Sequence, residues 1–206
     1  MIAIVDYGRG NLGSVAQAFA RLGLPARITE DPGDLARAVA VVLPGDGAFH
    51  DAMGSLERLG LLEPLRAWLA ADRPFLGICL GYQLLFTESE EFGQGKGLDV
   101  IRGAVRRFPE GRKIPHMGWN SVEHAGDLRL FAGVPSGAHF YFVHSYYPSP
   151  EGADPGLRAA TCDYGVRFPA AVERGQLFAT QFHPEKSQRW GLRLLENFAA
   201  VVRERL

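Results

Sequence analysis

The sequence predicts an α/β fold with an open, mostly parallel sheet flanked by helices and an antiparallel extension in the second half. Before Gly97, short apolar runs rich in β-forming residues alternate with helical patterns. This order is typical of parallel strands joined by helical crossovers. After Gly97, apolar runs follow one another across short turns, which indicates antiparallel strands added to the sheet.

The first half supplies four strands and the helices between them. Apolar runs predict strands over residues 2–8, 26–29, 40–45 and 74–80, and helical spacing predicts helices over 11–23, 34–38, 61–72 and from Gly81 onward. In the second half, strand-like runs cover 99–108, 139–147, 169–175 and 176–184. A terminal amphipathic helix is predicted over 188–206, because its apolar residues recur about one turn apart.

Composition favours one globular domain over residues 1–206 and excludes several function classes. The chain is 47% hydrophobic, and its formal net charge of −1 leaves no basic surface for nucleic acid. No apolar run reaches the roughly 18 residues of a membrane span. The first apolar run has no basic segment before it and meets Asp6 at once, which argues against a signal peptide. Two cysteines do not make a disulfide framework, so we expect a reducing cytoplasm.

The segment from Gly77 to Gly81 has the pattern Gly-x-Cys-x-Gly at the predicted change from strand to helix. In open α/β sheets, reactive groups collect at the carboxyl ends of strands. A nucleophile on a sharp turn needs small neighbours, and the amides of a following helix favour a thiolate. However, free cysteine is also among the most buried residue types. The pentapeptide alone therefore leaves Cys79 open between nucleophile and core residue.

His183 is the candidate base among six histidines, whose spacing indicates no metal site. Pro184 favours an extended His183, and residues two apart in an extended segment face the same side. Glu185 should therefore lie beside His183 and orient its imidazole towards a thiol. An exposed turn would also suit His-Pro-Glu taken alone, but together with the cysteine pattern it predicts a catalytic pair.

A glycine-rich loop, Pro44-Gly45-Asp46-Gly47, follows the third predicted strand, which in this fold can neighbour the cysteine strand. Backbone amides of such a loop can stabilise a developing oxyanion. Taken alone, the loop would be read as an ordinary turn.

The cysteine pattern together with His-Pro-Glu resembles the triad (class I) glutamine amidotransferases over nearly the whole chain. Further motifs resemble those of one family in this class, the glutaminase subunits of imidazole glycerol phosphate synthase. They are Gly8–Asn11, Pro44–Phe49, Cys79–Phe86, Pro115–Asn120, Tyr141–Tyr146 and Gln181–Ser187.

The resemblance implies a thioester mechanism. Cys79 would attack the side-chain amide of glutamine, His183 would protonate the departing ammonia and later activate water, and Glu185 would orient His183. The resemblance further implies backbone donors to the oxyanion at Leu80 and at Gly45, Asp46 and Gly47. It implies that Gln83 and Glu91 hold the α-amino end of glutamine, and that the backbone of His144, Ser145 and Tyr146 faces its carboxylate.

The resemblance implies no cofactor and no metal, but it implies a partner. Ammonia released into water is largely protonated, so a useful glutaminase delivers it along a sheltered path. The glutaminase fold uses the whole chain, so a separate synthase is needed. The resemblance identifies it as a (β/α)8-barrel cyclase subunit in a heterodimer, which would form imidazole glycerol phosphate and aminoimidazole carboxamide ribotide. Positions near that interface match Asn11, Trp119, Tyr141 and Lys186, which could equally be surface polar or core aromatic residues.

Two positions depart from the family pattern. Asp46 stands where relatives often carry valine, and we expect its carboxylate to face away from the oxyanion. Tyr82 stands where methionine is common, and we expect it to be tolerated because the backbone acts at this turn. Two alternatives stay open: a glutaminase serving anthranilate, aminodeoxychorismate or pyridoxal phosphate synthase, and a catalytically silent binding subunit. The Pro115–Asn120 motif and Lys186 argue against the first, and the intact triad against the second.

Overall fold

A computed structural model describes residues 1–152 and 154–205, so the predicted helix end at Leu206 lies outside the described residues. The first half contains β1 (Ile2–Val5), α1 (Leu12–Arg21), β2 (Ala26–Thr29), α2 (Pro32–Arg37), β3 (Ala40–Leu43), α3 (Phe49–Arg58), α4 (Leu62–Ala70), β4 (Phe75–Ile78), α5 (Leu80–Gln83), β5 (Phe86–Ser89) and β6 (Gly95–Lys96). The second half contains β7 (Ile101–Arg107), β8 (His116–Val122), β9 (Ala138–His144), β10 (Tyr146–Pro150), β11 (Arg158–Asp163), β12 (Arg167–Arg174), β13 (Leu177–Thr180) and α6 (Gln188–Arg203). Short 3₁₀ turns cover Arg129–Phe131 and Pro184–Lys186.

A seven-stranded sheet in the order β11-β12-β13-β4-β3-β1-β2 forms the centre of the fold. Five of its strands, β13, β4, β3, β1 and β2, run parallel. β4 lies between β3 and β13, as the sequence predicted for the third strand and the cysteine strand. The residues that follow these three strands therefore meet at one carboxyl edge.

The predicted antiparallel extension of the sheet consists of β11 and β12. β13 joins the central sheet as a parallel strand. The remaining strands of the second half lie in two smaller sheets, one with the order β10-β7-β5-β6 and one made of β8 and β9. The run over 139–147 is divided between β9 and β10, which belong to different sheets. Alternating apolar residues identify a strand, but its partner is chosen by long-range packing.

Two helices differ from the sequence expectation. The helix expected from Gly81 onward is the single turn α5, after which the chain enters β5. Helix α3 was not predicted, although its buried residues Phe49, Ala52 and Leu56 have helical spacing. α3 directly follows the Pro44–Gly47 loop and so sets the direction in which that loop leaves the sheet.

Side chains of the central strands alternate between two apolar clusters. Ile2, Ile4 and Val42 pack on one face with α1 and α6, and Ala3 and Val41 pack on the other face with α2, α3 and α4. This is the expected packing for a parallel sheet covered on both faces. Within the described residues, no helix combines the length and the apolar character that crossing a membrane requires.

Candidate active site

Cys79 occupies a sharp turn between the buried strand β4 and the short helix α5. Its backbone has φ 54° and ψ −107°, a region in which a residue with a side chain is strained by about 1–3 kcal/mol. The amide of Cys79 donates to the carbonyl of Thr180 on β13 at 2.7 Å, so the turn is tied to the neighbouring strand. This geometry carries the side chain above the edge of the sheet.

The two glycines of the pattern are required by close backbone contacts. A Cβ atom at Gly81 would lie 1.7 Å from the carbonyl oxygen of Leu43 on β3, and one at Gly77 would lie 2.9 Å from the carbonyl oxygen of Gly81. Both distances are shorter than a non-bonded contact allows. Gly-x-Cys-x-Gly is therefore the residue pattern that lets the turn fold back against its own strand and against β3.

His183 and Glu185 form the predicted pair, although by a different route. His183 is extended, with φ −96° and ψ 99°, but Glu185 lies in the 3₁₀ turn that begins at Pro184. Nδ1 of His183 lies 2.8 Å from Oε1 of Glu185, and both side chains are almost fully buried. The amide of His183 donates to the carbonyl of Tyr141 at 3.0 Å, which fixes the pair against β9. A tight turn, not strand alternation, therefore brings the carboxylate to the ring.

The second ring nitrogen of His183, Nε2, is buried without a hydrogen-bond partner among the described residues. Burial opposes a charge on this imidazole, but negative charge on Cys79 and the hydrogen bond and charge of Glu185 outweigh it and raise the pKa of His183 to about 10. An imidazolium beside a thiolate is the resting form of a cysteine–histidine nucleophile. Negative charge on Cys79 thus directly favours a protonated His183.

A cavity of about 300 Å³ opens over Cys79 and His183. Most of the residues predicted for the site line it, together with Pro115 and Val143, which the sequence analysis quoted within motifs but gave no role in the site. The predicted lining residues are Asp46, Gly47, Leu80, Gln83, Glu91, His144, Ser145 and Tyr146. Gly45 does not line the cavity, because it packs beneath the loop, where an added Cβ would overlap the hydroxyl of Tyr7.

Residues 3–202 match the family model described as glutamine amidotransferase class-I. The chain belongs to this family. A protein of Desulfitobacterium hafniense named imidazole glycerol phosphate synthase subunit HisH is 52% identical over 204 residues, covering 99% of this chain and 96% of the relative. A protein of Syntrophotalea carbinolica with the same name is 54% identical over 205 residues, covering 96% and 98% of the two chains.

The fold is also that of class I glutamine amidotransferases. A solved structure described as a glutamine amidotransferase superposes with a TM-score of 0.74 at 22% identity, covering 98% of this chain and all of that one. At this identity the likeness shows the fold alone. The family model alone places this chain among the glutamine amidotransferases, enzymes that hydrolyse glutamine for its amide nitrogen.

The amide of Leu80 is free to act on a ligand in this class I glutamine amidotransferase. It stands at the first turn after Cys79 and has no backbone acceptor within the described part of the chain. The carboxylate of Asp46 accepts a hydrogen bond from the amide of Gly10 at 3.1 Å. One oxygen of Asp46 is thus held towards the loop at residues 8–10, although the residue also lines the cavity.

Gln83 and Glu91 both line the cavity, and protein partners fix the side chain of each. Nε2 of Gln83 donates to the carbonyl of Tyr146 at 3.0 Å and to Oε1 of Gln181 at 2.9 Å, so its carbonyl oxygen is the group left for a ligand. Oε2 of Glu91 accepts from the amide of Phe49 at 2.6 Å, which anchors the carboxylate at the first residue of α3. Two fixed acceptors suit a cationic group such as an α-ammonium.

The four positions predicted for a partner interface lie at the surface around the active-site edge. Trp119 is 46% exposed and packs edge-on against Tyr141 on the paired strand, with the ring centroids 6.1 Å apart. Lys186 is exposed on the 3₁₀ turn next to Glu185, and Asn11 caps α1. Met117, which is 60% exposed, was not predicted and adds to this apolar surface.

Tyr82, at which we expected a departure from the family pattern to be tolerated, leaves no buried polar atom without a hydrogen bond. The side chain is fully buried, and its hydroxyl donates to the carbonyl of Pro169 at 3.3 Å. Burial raises the pKa of this phenol well above its usual value, so it stays neutral. Within residues 1–152 and 154–205, no group of three or more histidine, cysteine or acidic side chains is arranged to hold a metal ion.

Proposed function

We propose that this chain, acting as a single glutaminase domain, is the glutaminase subunit of imidazole glycerol phosphate synthase and serves histidine biosynthesis in the cytoplasm. The observation that carries the proposal is a cysteine in a strained strand-to-helix turn that shares one cavity with a His183–Glu185 pair. The subunit name of relatives at 52–54% identity over nearly the full chain supports the choice of synthase.

In the proposed reaction the thiolate of Cys79 attacks the side-chain carbonyl carbon of glutamine and forms a carbon–sulfur bond. The carbon–nitrogen bond then breaks, and the imidazolium of His183 gives its proton to the departing nitrogen, which leaves as ammonia. His183, now neutral, removes a proton from water, whose oxygen attacks the thioester and releases glutamate and the thiolate. Glu185 holds the ring through Nδ1, so that Nε2 faces the reacting atoms.

The tetrahedral intermediates of both steps carry an oxyanion. The amide of Leu80 is the first proposed donor, because it follows the nucleophile directly at the start of α5. The backbone of the Gly45–Gly47 loop is the proposed source of the second donor, and Asp46 and Gly47 of this loop line the cavity. The carboxylate of Asp46 accepts from the amide of Gly10, so one of its oxygens is held towards the loop at residues 8–10.

The amino-acid end of glutamine is proposed to bind across the cavity from the thiol. The acceptor oxygens of Gln83 and Glu91 would receive the α-ammonium group, and the backbone of His144, Ser145 and Tyr146 would face the carboxylate. All five residues line the cavity. The distance between the thiol and the residues that bind the amino-acid end would select glutamine by the length of its side chain.

The proposed partner is a (β/α)8-barrel cyclase that accepts the ammonia. Its docking surface would be the face marked by Asn11, Trp119, Tyr141 and Lys186, because this face surrounds the edge of the sheet at which ammonia is released. Exposed aromatic and methionine side chains are typical anchors of protein interfaces.

The test is glutamine hydrolysis measured with the chain alone and with a barrel cyclase plus its ribonucleotide substrate. We expect glutamate production to rise when both are present and imidazole glycerol phosphate to form in equal amount. If the pair does not stimulate hydrolysis, the choice of synthase is wrong.

The nucleophile is tested with Cys79→Ser in the same complex. Glutamine-dependent product formation should be lost, while formation from added ammonia should continue, because the second reaction takes place on the partner. Cys162→Ser is the matched control, since Cys162 is buried away from the cavity and should leave both activities unchanged. Full glutamine-dependent activity in Cys79→Ser would contradict the assignment.

A further inference from the structure

Gln181 contacts the nucleophile but has no part in the mechanism above. It is fully buried in the segment between β13 and His183, and its Nε2 atom lies 3.6 Å from the sulfur of Cys79. The backbone N–H of Gln181 donates to the carbonyl of Ala170 at 2.7 Å, which holds this part of the backbone to β12. The side chain is therefore held beside the sulfur of Cys79.

The orientation of the Gln181 amide follows from the carbonyl of Tyr146. A carbonyl oxygen only accepts, so the atom of Gln83 that faces it at 3.0 Å must be the nitrogen. The second N–H of Gln83 then points to Gln181 at 2.9 Å, where it requires an oxygen. The remaining atom of the Gln181 amide, which faces Cys79, is the N–H donor.

The carbonyl of Tyr146 is also contacted by a second series of hydrogen bonds, which runs through two histidines. Nδ1 of His144 lies 2.7 Å from the oxygen of Tyr146 and must carry a proton. Nε2 of His144 therefore accepts from Nδ1 of His116 at 3.0 Å, and Nε2 of His116 accepts from the amide of Asn120 at 3.3 Å. The other N–H of Asn120 donates to the carbonyl of Asp163 at 2.9 Å. Backbone carbonyls at both ends thus fix every proton in this series.

The surroundings of the two histidines keep this arrangement neutral. His116 is stacked between Phe142 and Tyr164, with ring centroids 4.7 and 4.0 Å away. Burial lowers the pKa of His116 to about 4 and that of His144 to about 3. A neutral imidazole has one donor and one acceptor nitrogen, as the series requires at each ring.

We propose that Gln181 is a further active-site residue, whose amide donates a hydrogen bond to the Cys79 sulfur and stabilises the thiolate, and that the His116–His144 pair positions it through the Tyr146 carbonyl. The inference rests on the proposed function, because the Cys79 thiolate is the nucleophile of that reaction. The carbonyl of Val143, 3.9 Å from the sulfur, accepts only from the thiol. Gln181 and Val143 therefore favour opposite protonation states of the same atom.

The first test is alkylation of Cys79 by iodoacetamide, in which the thiolate displaces iodide and the thiol does not react. Gln181→Met keeps the length of the side chain but has no N–H. It should slow labelling of Cys79 on the order of 10- to 100-fold, the size expected for a hydrogen bond to a charged group. Gln181→Asn, which withdraws the amide by one methylene, should slow it in the same direction and serves if the first variant does not fold.

Gln176→Met is the matched control, because its side-chain oxygen has no partner among the described residues and it precedes β13 outside the cavity. Labelling of Cys79 should keep the wild-type rate in this variant. Wild-type labelling rates in Gln181→Met, or equal slowing in Gln176→Met, would overturn the role of Gln181.

The second test needs no substitution in the cavity. In ¹⁵N-histidine-labelled protein, long-range ¹H–¹⁵N correlations distinguish a proton on Nδ1 from one on Nε2. We expect Nδ1–H forms at His116 and His144, assigned by the loss of one signal set in His116→Asn. Protons on Nε2 of these histidines would reverse the direction of the hydrogen bonds in this series and overturn the positioning role. Neither test uses glutamine turnover, so an inactive complex would count against the proposed function alone.

Discussion

Substituting Gly81 by alanine should damage both stability and catalysis, because the new methyl group has no space. Its Cβ would lie 1.7 Å from the carbonyl oxygen and 2.7 Å from the carbonyl carbon of Leu43. Real Cβ contacts do not fall below 3.0 Å, so the two backbones must separate by at least 1.3 Å, the difference between 3.0 and 1.7 Å. Leu43 pairs with Gly77 in the sheet, so the separation strains the β3–β4 ladder.

Overpacking a core against rigid backbone costs about 1–3 kcal/mol and sometimes more, and we expect a loss of about 3 kcal/mol for Gly81→Ala. At about 2–4 °C per kcal/mol for a chain of this size, the melting temperature should fall by about 6–12 °C. Displacing the nucleophile by about 1 Å typically costs a factor of about 100 in rate, and glutaminase activity should fall at least that far. Differential scanning calorimetry and glutamate release measure the two effects.

Gly13→Ala is the matched control for this prediction. Gly13 lies in α1 with an ordinary backbone conformation, and an added Cβ would meet nothing within 4 Å. Alanine there should raise the free energy of unfolding by about 0.5–1 kcal/mol, the usual gain in a helix. If Gly81→Ala melted within about 2 °C of the wild type and kept its activity, the close contact with Leu43 would be wrong.

Three further predictions concern charge, stability and binding. The pKa of His183 is raised from 6.5 to about 10, so its protonated form stabilises the fold fully below pH 6.5 and ceases to do so as the pH rises through 10. In urea unfolding, the loss of unfolding free energy caused by His183→Gln should therefore shrink over that range. A loss that stays constant with pH would contradict the raised pKa. Arg158→Ala should lower the free energy of unfolding by about 1–3 kcal/mol, because the buried carboxylate of Glu173 loses a charged partner. Wild-type stability of this variant in denaturant would show that Arg129 alone is enough to pair with Glu173. Trp119→Ala should weaken binding of the proposed cyclase in calorimetric titration by about 2 kcal/mol, or about 30-fold. Ile28 is an exposed apolar residue on the edge strand β2, and Ile28→Ala should not weaken binding. Equal affinities of the two variants would remove Trp119 from the interface.

The parts of the site that the sequence predicts are those set by local geometry. Two glycines around Cys79 specify a turn in which backbone passes close to backbone, and any fold that contains the turn must use them. The contact between His183 and Glu185 was also predicted, although from strand alternation, whereas the structure makes it with a 3₁₀ turn. Proline at 184 favours both conformations, since it suits an extended predecessor and the first position of a turn.

Long-range choices could not be read in the same way. Four strand-like runs after Gly97 were recognised, but β8 and β11 were not predicted. The distribution of the strands over three sheets depends on which apolar faces meet. Gln181 was quoted only as part of a motif, although a signal was present. It stands two residues before His183 in the run predicted as a strand, where alternation would place both side chains on one side. Recognising its contact with Cys79 required the neighbouring strand.

The overlap between Gly81 and Leu43 also concerns the loop that follows β3. Leu43 is the last residue before Pro44, so the peptide against which the nucleophile turn rests is also the root of the loop proposed to supply an oxyanion donor. A movement of that root would carry the thiol and the donor together and preserve the distance between them. Only a rotation beyond Pro44 changes one without the other, so the chain can adjust the donor proposed for this loop while the nucleophile stays fixed.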